Sequence, residues 1–238
     1  MIAMSRRPAA SESDYFDEVR LLESEIEEVI IIFHTSEEIN QLALRDTIIY
    51  QALNEEPMFW QAYRSTCQTA LFMGLGRIFD STPGGHSIQK VISSTMENFA
   101  FFSKASLRAR RMRDRTDEPE WLPEFVAVAW EPESAADLRF LKHCLKPYIR
   151  LFEEVYRPIR HAIYGHRLMT NDEAGSQLFP HTNREAVGKM LDFLHDLIDA
   201  IINLYNNGSE PRLGERDFAG HNERIREGAR NVLRKLAG

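Results

Sequence analysis

The segment Tyr156-Arg-Pro-Ile-Arg-His-Ala-Ile-Tyr-Gly-His-Arg167 places Arg157, Arg160, His161, Tyr164, His166 and Arg167 within twelve residues. Histidine exchanges protons near neutral pH, whereas arginine stays charged and presents a planar fork of donors that matches a phosphate. Together these side chains suit phosphodiester cleavage without a metal ion. One histidine takes the proton of a 2′-hydroxyl, and an arginine stabilises the charge that builds on phosphorus oxygens. The bland alternative makes His166 a hydrogen-bonded core histidine and Arg160 a surface ion-pair partner.

Geometry constrains how these groups cooperate. Positions six apart on a straight helix differ by about 120° around the axis and roughly 9 Å along it. Arg160 and His166 therefore do not share one face. Either the helix distorts at Gly165, or the two side chains meet across a dimer interface. A second Arg-to-His spacing, Arg216 to His221, lies in a glycine-containing stretch with no apolar seam around it.

The elements that must position this segment are helices. Leu138, Leu141, Leu145, Tyr148, Phe152, Val155 and Ile159 alternate in steps of three and four, a helical seam that continues to Ile163 and His166. Pro147 and Pro158 inside it predict a kink or restart. Leu22, Ile26, Val29 and Phe33 predict an amphipathic helix over 13–34, and Thr35 with Glu38 reads as a capping box opening a second helix to about Asn54. A third helix carries Trp60, Tyr63, Cys67, Leu71, Gly74 and Ile78, with Gly74 and Gly76 permitting a close helix crossing. A shorter helix starts at Ser87. Phe125-Val-Ala-Val-Ala-Trp130 is compatible with a short strand. Val187, Leu191, Leu194, Ile198, Ile201 and Tyr205 mark another helix, opening at Thr182 or Asn183 and closing at Asn207-Gly208, and a polar helix follows near 221–236. The fold class is all-α: a bundle with extra N- and C-terminal helices. Residues 1–12 read as a disordered tail and 13–238 as a single domain.

Composition narrows the function. Hydrophobic residues make up 43% and charged residues 27%, as expected of a soluble globular chain, and no apolar run is long enough to cross a bilayer. The N-terminus lacks the apolar stretch of a secretory signal, so a cytoplasmic setting is expected, with no membrane partner. A net charge of −7 disfavours indiscriminate coating of nucleic acid. Against that balance, Arg108, Arg110, Arg111, Arg113 and Arg115 crowd residues 107–115. They can follow a phosphate backbone as RNA-binding residues beside Arg157 and Arg167, or simply balance acidic neighbours.

Other constellations read as structural. Cys67 and Cys144 are expected as buried small hydrophobes, and no disulfide framework or zinc pattern appears. Asp192, His195, Asp196 and Asp199 share two helical turns, but the Glu-x-x-His pairs of a di-metal bundle are missing, so a solvated acidic face is expected. The expectation is of no metal and no cofactor. Pro83-Gly84-Gly85-His86 reads as a turn.

The segment Arg160-His161-Ala162-Ile163-Tyr164-Gly165-His166 resembles the arginine–polar–histidine signature of the HEPN superfamily. The run from Phe59 to Ile92, with its small-residue-rich helix ending in Arg77-Ile78-Phe79-Asp80, resembles the abortive-infection, AbiU-like branch. Tyr164-Gly165-His166-Arg167 stands where that branch tends to have Ala-His-Arg. The likeness covers about residues 55–205. It implies an all-α HEPN bundle, a homodimer with both motifs at a shared cleft, and metal-independent endoribonuclease activity. Such proteins serve in phage defence or toxin–antitoxin systems, so an antitoxin or nucleotidyltransferase partner is implied. On this likeness Arg160 and His166 are catalytic, with His161 and Tyr164 assisting. The alternative is a non-catalytic HEPN-like dimer that binds RNA, a nucleotide or a partner protein.

Overall fold

Tyr15, Val19, Leu22, Ile26, Val29, Ile30 and Phe33 return every three or four residues, and all of them are buried. That stripe makes the first helix the spine of the molecule. The computed structural model describes residues 11–80, 82, 86–161 and 182–237. Helix α1 (Glu12–Arg45) opens on a capping box in which the Ser11 hydroxyl accepts from Asp14 N–H and the Asp14 carboxylate accepts from Ser11 N–H. It runs straight through Thr35, so the expected break and capping box there do not form. No proline or glycine interrupts the turn, the Ser36 hydroxyl donates back to the Phe33 carbonyl, and Ile39 extends the buried stripe. The real break is Asp46, whose carboxylate accepts from the Ile48 and Ile49 N–H groups to start α2 (Thr47–Glu55).

Helix α3 (Pro57–Phe79) follows with proline in its first turn, then α4 (Ile88–Glu97), capped by Ser87 as its sequence predicts. Next come a short 3₁₀ turn (Phe99–Phe102), α5 (Lys104–Met112) and α6 (Leu122–Val128). Helix α6 takes up residues 125–128 of the stretch compatible with a strand. Pro123 in its first turn lacks the donor a strand would need, and among the described residues no strand offers a partner. Past a 3₁₀ turn (Ala135–Leu138), α7 (Arg139–Leu151) widens into a π turn (Phe152–Tyr156) and resumes as α8 (Arg157–Ile159). Helix α9 (Arg184–Asn207) begins at Asn183, whose side chain accepts from Glu185 and Ala186 N–H. It ends at Gly208 with φ +62°, so both predicted ends hold. Helix α10 (Ala219–Leu236) closes the chain.

The packing follows from these faces. Helix α1 lies against α3, α9 and α10, and α4 packs on α1 and α7. One core joins Leu22, Ile26 and Val29 of α1, Leu75 and Ile78 of α3, Leu141 and Leu145 of α7, and Leu194, Ile198 and Ile201 of α9. A smaller cluster of Ile39, Ile49, Leu53 and Leu233 holds α2 and α10 to the end of α1. Among the described residues no helix is long and apolar enough to cross a membrane.

Candidate functional site

The π turn decides where Arg160 points. Pro158 has no N–H to return to the preceding turn, and just ahead of it the helix widens over Phe152–Tyr156. A wider turn delays the seam by one residue. Tyr156 is buried where the regular spacing predicts Val155, which is only half-buried, and Ile159 returns to the core. The Tyr156 hydroxyl donates to the Asn183 carbonyl at 3.5 Å, tying the π turn to the start of α9.

Arg160 emerges from this distorted turn and lies across α3 at Gly76. A β-carbon built on Gly76 would sit 2.8 Å from Arg160 Cζ and 2.5 Å from its Cδ. The neighbouring Gly74 serves a different contact, leaving room for Val29 of α1. Two glycines expected to share one helix crossing thus do separate jobs: Gly74 admits a helix, and Gly76 admits a side chain.

Among the described residues, the guanidinium so placed has no hydrogen-bond acceptor at its Nε. Arg160 Nε is shut off from solvent without a hydrogen bond, and among the described residues Arg160 has no ion-pair partner. Nε of Arg110 and of Arg230 is also unbonded, but the outer nitrogens of both are ion-paired. Arg157 is exposed and paired with Glu153, a contact that holds its guanidinium above its already high range. His161 is exposed. Tyr164, His166 and Arg167 lie outside the described residues.

Upstream of Arg160, a cleft of about 160 Å³ opens beside Tyr156, between α1, α3 and the start of α9. Phe72 and Leu75 form part of its floor, and Arg64, Gln68 and Arg184 bring polar groups to it. A concave apolar floor with a few converging polar groups is the usual form of a ligand site.

The arginine cluster on α5 is largely committed inside the chain. Arg110 is ion-paired with Glu12, donates to the carbonyls of Phe101 and Tyr205 at 2.7 and 2.6 Å, and lies 4.0 Å over the Tyr205 ring. Arg111 donates to the Asn206 carbonyl at 2.6 Å and the Asn207 side chain at 2.9 Å. Both cations thus cover the carbonyl end of α9, where a positive charge is favoured. Arg108 pairs with Glu118, and Arg113 is exposed.

Two structural expectations need correction. Asp192 is exposed, but His195 and Asp199 are half-buried and Asp196 is buried, because the loop before α10 and α10 itself fold over this part of the expected solvated face. Asp196 is buried and accepts from Gly214 N–H and Arg216, Asp199 also pairs with Arg216, and Asp192 accepts from Asn222. Cys67 and Cys144 are free but only half-buried. The sequence reading also missed a meeting of Glu27, His195 and His221, which come from three helices with no spacing pattern to announce them.

With this geometry in place, comparison with protein families decides the affiliation. The AbiU2 family of HEPN proteins matches residues 19–226. The chain belongs to the AbiU2 family of HEPN proteins. The match takes in most of α1 and the first two turns of α10, so the HEPN-related region is wider than the 55–205 expected from the sequence. Comparison with curated proteins and with solved structures gave no match.

Proposed function

We propose that this AbiU2-family chain is a metal-independent endoribonuclease of the phage-defence or toxin–antitoxin kind. The observation that carries the reading is Arg160, half-buried across Gly76, without an ion-pair partner among the described residues and with its Nε out of reach of water. A guanidinium N–H shut off from water with no acceptor among the described residues is costly, and sites that bind anions bear that cost. An RNA phosphate supplies both the charge and the acceptors.

In this reading His166 takes the proton from a ribose 2′-hydroxyl. The 2′-oxygen attacks the adjacent phosphorus, and Arg160 stabilises the charge on the phosphoryl oxygens. The bond to the 5′-oxygen breaks, that oxygen receives a proton from His161 or Tyr164, and a cyclic phosphate and a 5′-hydroxyl result. Arg157 and Arg167 flank the scissile phosphate. Arg108 and Arg113 meet the RNA further along, while Arg110 and Arg111 hold α5 in place. Two copies bring the motifs together at a shared cleft. An antitoxin or nucleotidyltransferase partner would hold such an activity in check.

The test is cleavage of cellular RNA by the purified chain with chelator present throughout, against Arg160→Ala and His166→Ala. The expected result is chelator-resistant cleavage that falls by about 10²–10⁴ in each variant. RNA bound but not cleaved by the wild type would favour a non-catalytic HEPN dimer. Cleavage unchanged in both variants would move the site elsewhere.

A further inference from the structure

Three helices bring one ligand each to a point on the far side of α1 from Arg160. Glu25 and Glu28 face α3, where both approach Arg77. Half a turn around α1, Glu27 faces α9 and α10, and there it meets His195 of α9 and His221 of α10. One ligating atom from each of the three lies within 4.8 Å of the other two. Each residue is half-buried, so the site is shielded but reachable.

The local bonding does not satisfy these groups. His195 Nδ1 is buried with no hydrogen-bond partner. His221 Nε2 stands 3.0 Å from Glu27 Oε1, yet it also lacks hydrogen-bond geometry. Two atoms this close and not aimed at each other are what two ligands of one ion look like, since both aim at the ion instead. Bonds of about 2.0–2.2 Å in a tetrahedron set ligand atoms about 3.3–3.5 Å apart. Modest rotation of the three side chains closes the remaining gap.

The surroundings are arranged like the outer shell of such a site. The His195 ring stacks on Phe218 with centroids 4.1 Å apart, which fixes its plane. Asp192 and Asp199 stand close enough to act on His195 electrostatically and offset an added positive charge. The nearby cation Arg216 is held by Asp196 and Asp199 at 2.8 Å each, so its charge is already balanced. Carboxylates close to a ligating imidazole favour the cation it binds.

We propose that Glu27, His195 and His221 form a binding site for a divalent late transition metal of the zinc class, which fastens α10 to α1 and α9. Two imidazoles and one carboxylate suit zinc, nickel or cobalt, and not magnesium or calcium, which prefer all-oxygen ligands. The fourth position is open to water. The role is to hold the C-terminal helix, and it is independent of RNA cleavage on the opposite side of α1.

The experiment uses the full chain, stripped with chelator, desalted and titrated with Zn²⁺ by calorimetry and with Co²⁺ by absorption. One equivalent binds, with affinity on the order of micromolar or tighter. Glu27→Gln, His195→Ala and His221→Ala each weaken binding by more than the ~10–100-fold typical of losing an outer-shell partner, while the exposed His143→Ala binds as wild type. Hydrogen exchange of the wild type, which needs no variant to fold, slows in α10 when Zn²⁺ is added. Absence of saturable binding overturns the proposal. So does binding that survives all three substitutions, or protection that appears outside α10 and its contacts.

Discussion

Arg160 crosses α3 at Gly76, where the missing side chain leaves room for its guanidinium stem: a β-carbon there would stand 2.8 Å from Arg160 Cζ. A methyl group at this position therefore acts on the arginine before it acts on the fold. Gly76→Ala should leave stability within about 1 kcal/mol of wild type, because a helical alanine gains what the displaced, flexible side chain loses. RNA cleavage should fall by roughly 10–100-fold, since shifting a charge-stabilising group by about an ångström has that order of effect. Gly74→Ala should do the reverse. It presses on the stiff, branched Val29 of α1 and should cost about 1–3 kcal/mol. Paired measurements of cleavage rate and denaturation midpoint separate the two glycines, and equal loss of stability in both would refute the distinction.

Arg110 is a structural residue, and its removal should be read in stability. Its guanidinium joins Glu12 of α1 to the carbonyls of Phe101 and Tyr205 and covers the Tyr205 ring. Arg110→Ala strands the Glu12 carboxylate and two carbonyls, a loss of about 3 kcal/mol. Arg113→Ala, at an exposed position, should change stability by no more than about 0.5 kcal/mol. Urea titrations of both variants check the contrast.

How much of this was legible in the sequence depends on how far apart the interacting residues are. Asn183, Ser87 and Gly208 act within a turn of themselves, and each starts or stops a helix where its chemistry says it should. Thr35 and Glu38 offered the same local signal and failed, because the buried stripe continues through Ile39 and outweighs a cap. The π turn before Pro158 was legible as a disturbance but not as a one-residue delay, so the regular seam predicted Val155 in place of Tyr156. Arg160 was singled out by residue type, yet its resting place on Gly76 depends on a contact between segments more than eighty residues apart. The same distance hid the Glu27, His195 and His221 meeting. It also hid the burial of Asp196, because a face on one helix says nothing about the loop that later folds over it.

That loop supplies the next prediction. Asp196 accepts from Gly214 N–H at 2.6 Å and from Arg216 at 2.8 Å, and it is buried. Asp196→Ala removes the anchor, leaves the Gly214 N–H without an acceptor and leaves Arg216 to Asp199 and the Arg212 carbonyl. The expected cost is about 2 kcal/mol, concentrated in residues 209–218 and the start of α10. Hydrogen exchange should show faster exchange there with α7 unchanged. A uniform increase across the whole chain would mean that the loop is not a separate unit of stability.

His34 should make stability depend on pH. Its ring is buried on α1, and Arg226 donates to His34 Nδ1 at 3.0 Å. Arginine can only donate, so Nδ1 must accept, the proton of the neutral ring sits on Nε2, and a second proton would oppose Arg226 directly. Burial first, and then the Arg226 charge, lower the pKa from 6.5 to about 4. The unfolded chain therefore binds a proton between pH 6.5 and about 4 that the folded chain refuses. In that window the unfolded state holds more protons, so stability rises with pH: the contribution is complete above pH 6.5 and is lost as pH falls toward 4. The full loss is about 3 kcal/mol. Denaturant midpoints measured from pH 7.5 to 4.5 should fall for wild type and fall less steeply for His34→Gln, whose side chain keeps an acceptor for Arg226 but cannot take up a proton. Parallel curves for the two proteins would show that other groups carry the acid sensitivity.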